Sequence, residues 1–188
     1  MSEDSVYHVP VMLQECIEAM DIKPDGVYVD VTFGGGGHSR EIIKHLGPQG
    51  RLIAFDQDPD ALNNVIDDPR FVLVHQNFRF IKNFLRIEGV KQVDGILGDL
   101  GVSSHQFDVA ERGFSTRFNA TLDMRMNQKG ELSAYEVVNQ YDELELGRVF
   151  FDYGELKNAR ALAATIVEAR KITPIKDSDQ LKQVLAKF

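Results

Sequence analysis

Apolar residues in the first hundred positions follow two alternating spacings. Four short runs rich in β-branched and aromatic residues predict strands at 27–31, 51–55, 71–75 and 93–97. The intervening stretches have helical spacing, which predicts helices over 8–21, 39–46, 60–65 and 80–88. Because single helices separate the strands, right-handed crossovers give a parallel sheet, and we expect an α/β, Rossmann-like fold. Such sheets bind ligands at the carboxyl ends of their strands.

The pattern changes after about residue 101. Residues up to 130 show neither strand alternation nor a sustained helical period, which predicts a long loop. Further helices are predicted at 134–140, 143–152, 156–171 and 178–187, and a capping box from Ser133 to Glu136 begins the first. We therefore expect a ligand-binding domain at 1–108, followed by a loop and a partial helical insertion domain at 109–188. No fifth strand is predicted before the chain stops, which indicates a truncated chain.

The composition is that of a globular protein. The chain has 188 residues and a net charge of −8. Its one cysteine, Cys16, lies at helical spacing from other apolar residues, which predicts a buried structural thiol. No apolar run approaches the roughly 18 residues that a membrane span needs, so we expect a cytoplasmic protein with no membrane partner. The acidic balance argues mildly against nucleic acid as a partner, although phosphate contacts need only a local basic patch.

A glycine cluster lies where the first predicted strand meets the next helix. The glycines at 34–37 lack the Cβ atoms that would keep the backbone away from a bound nucleotide. Their spacing does not fit the dinucleotide-binding pattern G-x-G-x-x-G, because the position of its last glycine is occupied by Ser39 or Arg40. A phosphate-binding Walker loop is also excluded, because no Gly-Lys-Ser/Thr follows the glycines. A glycine-rich turn without a ligand is the alternative.

An acidic residue follows the second predicted strand. Asp56 lies about twenty residues beyond the glycine cluster, where an acid accepts hydrogen bonds from both ribose hydroxyls and disfavours a 2′-phosphate. This position predicts an adenosine ligand. The alternative is a helix cap, although Asp58 is also placed to serve as one.

The third and fourth strands are followed by two further candidates. Phe78 is placed either to stack on an adenine or to pack beneath the following helix. Asp99 is placed to accept a hydrogen bond from cofactor or substrate, and its alternative role is to cap a loop.

Seven segments of the chain form a specific set of motifs: HVPVML at 8–13, TFGGGGHS at 32–39, FDQDP at 55–59, GILGDLGVSS at 95–104, QFD at 106–108, ERGFS at 111–115 and LDMRM at 122–126. In these motifs the chain resembles the ribosomal RNA small subunit methyltransferase H family. The resemblance implies a Rossmann-like class I methyltransferase that uses S-adenosylmethionine to methylate N4 of a cytidine in 16S rRNA of the small ribosomal subunit. Family members continue for roughly a hundred residues more, so strands 1–4 are present here and later strands are missing.

The resemblance also implies the site residues. The expected cofactor contacts are Gly36, Gly37, His38, Asp56, Phe78, Asp99 and Gln106, of which Gln106 comes from the resemblance alone. We expect Asp99, or a neighbouring group in 100–104, to accept a hydrogen bond from the cytosine amine, with His8 a weaker candidate. No metal is expected, and a homo-oligomer is compatible with the sequence.

The loop at 103–130 is a candidate RNA surface. It carries three phenylalanines and three arginines, namely Phe107, Phe114, Phe118, Arg112, Arg117 and Arg125. The alternative is that the phenylalanines pack the loop against the core while the arginines pair with nearby acids. Two other functions remain open: a non-catalytic S-adenosylmethionine-binding module, and a related methyltransferase with a different substrate.

Overall fold

The computed structural model describes residues 10–188. The chain forms two compact units that divide between Gly101 and Val102, whereas the sequence places the boundary at 108/109. His8 lies outside the described residues. No helix among residues 10–188 has both the length and the apolar character needed to cross a membrane.

The first unit contains a four-stranded parallel sheet. Its strands are β1 (Val27–Asp30), β2 (Arg51–Asp56), β3 (Phe71–His75) and β4 (Gly95–Leu97). The strand order is β3-β2-β1-β4, with β1 paired in parallel to both β2 and β4. The chain therefore moves outward from β1 to β3 and then returns to the other side of β1. In open α/β sheets such a reversal of strand order marks the ligand crevice, and the predicted α/β Rossmann-like class is confirmed.

Helices precede and connect these strands. They are α1 (Leu13–Met20), α2 (Gly37–His45) and α3 (Ile81–Ile87), with 3₁₀ helices at Pro59–Asn64 and Phe78–Phe80. The helix predicted at 60–65 is present one residue earlier, as the 3₁₀ helix at Pro59–Asn64. The Asp58 side chain caps it by accepting a hydrogen bond from the Asp60 backbone N–H.

Alternate residues of the sheet build two apolar layers. Tyr28 and Leu52 face one layer, which includes Ile42 and Phe71 from the neighbouring elements. The intervening residues face the other layer; they include Val29, Ile53 and Phe55, packed with Ile81, Phe84 and Leu85 of α3. Because both faces are covered, β1 and β2 have nearly continuous apolar sequences, as expected for parallel strands. Cys16 is half-buried and packs against the first layer.

The second unit is mainly helical. It contains α4 (Ser104–Asp108), a 3₁₀ helix at Ala110–Arg112, α5 (Ala134–Gln140), α6 (Glu143–Asp152), α7 (Ala159–Arg170) and α8 (Ser178–Val184). Its core includes Leu146, Ala163 and Ile166, and Gly147 of α6 faces Ala163 of α7. The predicted Ser133–Glu136 capping box is present at the start of α5.

One helix of this unit is absent from the sequence prediction. The apolar spacing predicts no helix at 101–130, but α4 forms within that segment. A capping box explains this, because the Ser103 hydroxyl accepts from the Gln106 backbone and the Gln106 side chain accepts from the Ser103 N–H. The pattern Ser103-x-x-Gln106 is a sequence signal for a helix start, although the helix is too short to show a repeated apolar spacing.

Candidate functional site

The glycine cluster forms the turn between β1 and α2. Gly34 and Gly36 have φ values of +49° and +76°, a region that favours glycine, and the turn closes with a 2.7 Å hydrogen bond from Gly36 N–H to the Phe33 carbonyl. A Cβ at Gly36 would lie 2.9 Å from the Phe33 ring, whereas one at Gly34 or Gly35 would meet nothing within 4 Å. The turn thus has a packed side at Gly36 and an open side at Gly34 and Gly35.

Gly37 is required by packing. A Cβ at this position would lie 2.3 Å from Cγ of Pro10. Its absence allows the start of α2 to approach the segment before α1.

Asp56 contacts the glycine turn directly. Its Oδ2 accepts a 2.7 Å hydrogen bond from Gly34 N–H, and its Oδ1 accepts a 2.9 Å bond from Asp58 N–H. Each carboxylate oxygen has a second lone pair, so both can still accept from a ligand hydroxyl. The sequence predicts Asp56 and the glycines as parts of one site, and the structure brings them into contact. The cap of the following 3₁₀ helix is Asp58.

A second acid lies beneath the same turn, at a position for which the sequence analysis assigns no role. Asp30, at the end of β1, is 1% exposed. It accepts a 2.7 Å hydrogen bond from the Ser39 hydroxyl and a 3.0 Å bond from Thr32 N–H. Burial raises the pKa of Asp30, while the hydrogen bond from Ser39 opposes that shift. The sequence features that could have predicted this role are the position of Asp30 at the end of a buried strand and the nearby hydroxyl residues Thr32 and Ser39.

Thr32 connects the ends of β1 and β4. Its hydroxyl oxygen accepts a 2.7 Å hydrogen bond from Asp99 N–H and lies 3.4 Å from Oδ1 of Asp30. Asp99 itself is exposed, beyond the last residue of β4. The end of β4 is therefore held against the glycine turn through one side chain.

His38 is nearly buried in the first turn of α2. It is 6% exposed, and its Nε2 atom has no hydrogen-bond partner among residues 10–188. A buried polar atom without a partner is costly unless a further group satisfies it.

Phe78 begins the 3₁₀ helix that follows β3. It is 40% exposed. The preceding residue, Asn77, caps this helix by accepting from Arg79 N–H and donates a 2.9 Å hydrogen bond to Gln57. The ring of Phe78 thus has an accessible face at the carboxyl end of β3.

Gln106 belongs to the second unit. It is 6% exposed and its side chain takes part in the capping box of α4.

The loop arginines contribute largely to local structure. Arg117 pairs with Asp108 at 3.0 Å and Arg125 with Asp123 at 2.5 Å, while the buried Arg112 donates to the carbonyls of Arg125 and Met126. Arg117 and Arg125 thus pair with nearby acids, which is the alternative to an RNA surface that the sequence offers for them.

Comparison with known families matches residues 5–188 to the MraW methylase family. The chain belongs to the MraW methylase family. It is 66% identical, over its whole length, to the ribosomal RNA small subunit methyltransferase H of Flavobacterium johnsoniae, and covers 62% of that protein. It is 63% identical to the protein of that name from Christiangramia forsetii, over 95% of this chain and 59% of the relative. The chain thus spans about 60% of the length of these relatives, and the resemblance seen in its motifs is confirmed.

The MraW methylase chain therefore presents one set of groups along three strand ends. The glycine turn follows β1, Asp56 ends β2 and bonds to that turn, and Asp99 follows β4 and bonds to Thr32. Acidic side chains beside an open glycine turn can bind a ligand that carries hydroxyl groups and positive charge.

Proposed function

We propose that the chain binds S-adenosylmethionine at this site and serves the N4-methylation of a cytidine in 16S rRNA of the small ribosomal subunit. The observation that carries the proposal is the 2.7 Å hydrogen bond between Asp56 and Gly34, which joins an acid for ribose hydroxyls to an open glycine turn. Membership in the MraW methylase family supports the reaction class.

The residues of the first unit fit this cofactor. The open side of the turn at Gly34 and Gly35 leaves room for backbone contact, and the Nε2 atom of His38, which has no partner within residues 10–188, provides a buried polar group. Asp56 would hold the ribose, and the exposed ring of Phe78 would contact the adenine. Gly36, Gly37 and Asp99 of the same unit, and Gln106 of the second unit, complete the proposed set of contacts.

S-adenosylmethionine, when bound, supplies a methyl group on a positively charged sulfur. The residues of the chain then have to orient the cytosine amine, whose lone pair is delocalised into the ring and is a poor nucleophile. In our proposal the Asp99 carboxylate accepts a hydrogen bond from that amine and takes the proton that the nitrogen loses as it gains the methyl group. Thr32 holds the backbone of Asp99 during this step.

The test combines cofactor binding with methyl transfer. We expect the chain to bind S-adenosylmethionine in a calorimetric titration, and to transfer labelled methyl groups to cytosine N4 in small-subunit particles that lack this modification. Asp99→Ala should lower transfer by at least about a hundredfold. Asp94→Ala is the matched control. Asp94 lies immediately before β4, at the end opposite to Asp99, and accepts a hydrogen bond from Val27 N–H.

The outcomes separate the alternatives. Saturable cofactor binding without transfer would support a non-catalytic binding module, and transfer to another substrate would support a related methyltransferase. Near-normal transfer by Asp99→Ala would remove Asp99 from the mechanism.

A further inference from the structure

The face of α3 opposite the sheet carries a row of positive charges. Arg79, in the preceding 3₁₀ helix, is followed by Lys82 and Arg86 at helical intervals of three and seven residues, and all three side chains are exposed. On the opposite side of the helix, Ile81 and Phe84 pack into the apolar layer of the sheet. The three cations, which we call the basic face, are thus held in place by burial of the other side of α3.

These cations, like Lys91 beyond the end of α3, differ from the basic residues that precede them in the first unit. Every basic side chain that precedes them contacts an acid or a carbonyl oxygen; the pairs are Lys23–Asp94, Arg40–Asn64, Lys44–Glu41, Arg51–Glu88 and Arg70–Asp68. Among residues 10–188, no acid forms an ion pair with the basic face, and Arg79 instead lies 4.5 Å from the ring centre of its neighbour Phe80. The acid closest in sequence, Glu88, is already paired with Arg51.

The surrounding charge makes this clustering informative. Residues 1–101 contain 16 acidic and 9 basic residues, so a basic side chain in this unit has many acids available as partners. Despite that excess, no acid within residues 10–188 forms an ion pair with the three cations of the basic face. An exposed helix face is often only solvated, but unpaired cations gathered in an acidic unit suit a polyanionic partner.

The position of the basic face identifies that partner. Arg79 directly follows Phe78, the proposed adenine contact, and the row extends along α3 from there for about 10 Å. We propose that the basic face binds phosphates of the RNA strand beside the target cytidine. This inference depends on the proposed function and adds to it a location for the RNA backbone.

The test measures RNA binding without relying on catalysis. Labelled oligocytidine RNA is titrated with the chain over a range of salt concentrations and followed by fluorescence anisotropy. For each phosphate that a variant no longer binds, the slope of log affinity against log salt should fall by about one. We therefore expect K82Q/R86Q to lower the slope by about two and to weaken binding roughly tenfold at low salt.

The double variant K23Q/K44Q is the matched control. It removes the same charge from the same unit, at exposed lysines that already face Asp94 and Glu41. We expect its slope to match that of the unmodified chain. Calorimetric binding of S-adenosylmethionine should be equal in all three proteins, which shows that each is folded.

Several results would overturn the inference. Equal slopes for K82Q/R86Q and the unmodified chain would exclude phosphate contacts at the basic face, and an equally reduced slope in both double variants would indicate only a net-charge effect. Binding of labelled polyglutamate as tightly as RNA would point to an acidic protein partner. Failure of the proposed function is a separate outcome, because it would appear as absent cofactor binding in the unmodified chain.

Discussion

At the scale of single residues, Thr32 has the most direct influence on the site. Its hydroxyl oxygen is the acceptor for Asp99 N–H, and the same side chain lies beside the buried Asp30. The position of Asp99 thus depends on a hydroxyl that belongs to a different strand end.

Replacing this hydroxyl should weaken cofactor binding. Thr32→Val keeps the shape of the side chain but removes the acceptor, and a hydrogen bond of this type contributes about 1 kcal/mol. We expect the Kd for S-adenosylmethionine to rise about fivefold in a calorimetric titration, with Thr32→Ser restoring most of the affinity. Equal affinities for the valine and serine variants would show that the Thr32 hydroxyl does not position Asp99.

The buried Asp30 shows why part of the site is not predictable from sequence. Motif spacing identifies the glycines and Asp56, because the carboxyl ends of parallel strands lie along one edge. The sequence does not show that Asp30 is 1% exposed or that its partner Ser39 comes from the next helix. Those features depend on how α2 packs on the sheet.

At the scale of elements, the turn between β1 and α2 separates two roles of glycine. Gly36 needs a positive φ and lies against Phe33, whereas Gly35 faces open space. We expect Gly36→Ala to lower the free energy of unfolding by about 1–3 kcal/mol, and Gly35→Ala to leave it nearly unchanged. Urea denaturation measures both values. A stable Gly36→Ala variant would mean that the turn tolerates a different backbone conformation.

A second element-level contact joins α2 to β3. Arg70 donates to the Leu46 carbonyl beyond the end of α2 and to the carboxylate of Asp68. Hydrogen bonds from Arg70 lower the pKa of Asp68 to about 2, from an ordinary value of 3.8. Since the folded state binds this proton more weakly than the unfolded state, the pair stabilises the fold above pH 3.8 and loses that effect as pH falls through about 2.

The pH dependence can be tested with adjacent acids. Asp68→Asn should lower the free energy of unfolding by about 1 kcal/mol at neutral pH, and the difference from the unmodified chain should shrink towards about pH 2. Asp67→Asn is the control, because Asp67 makes no ion pair or side-chain hydrogen bond within residues 10–188. A difference for Asp68→Asn that persists unchanged to about pH 2 would contradict the assigned role of this pair.

The elements themselves are predictable to different degrees. The bounds of β3, α5 and α6 match the sequence predictions, since each has a clear period and a distinct start or end signal. The short α4 is missed, and the helix predicted at 60–65 is a 3₁₀ helix whose bounds are shifted by one residue. Such segments form through one or two capping side chains, so they lack the repeated apolar spacing on which the predictions depend.

At the scale of the whole molecule, the two units differ in charge as well as in structure. Residues 1–101 have seven more acidic than basic residues, whereas residues 102–188 have 13 acidic and 12 basic. The acidic first unit suits the proposed cofactor with its positive sulfur, and within it the basic face is the local exception that we propose for RNA. The net charge of −8 therefore conceals two separate local environments.

Each unit also has its own apolar core, which predicts how cofactor binding affects stability. Saturation with S-adenosylmethionine at about a hundred times Kd should stabilise the unit that binds it by about 2.7 kcal/mol, and should slow amide exchange in the core strands β1 and β2 roughly a hundredfold. We expect exchange in α6 and α7 to remain unchanged, because their core is formed within the second unit. Amide exchange measured by mass spectrometry, with and without the cofactor, distinguishes the two units.

Within the second unit, amide exchange in α4 should be slowed if Gln106 contacts the cofactor, and Gln106→Ala should remove that effect. Equal slowing in the strands and in α6 and α7 would contradict this prediction, since it would mean that the two units open together as one cooperative structure.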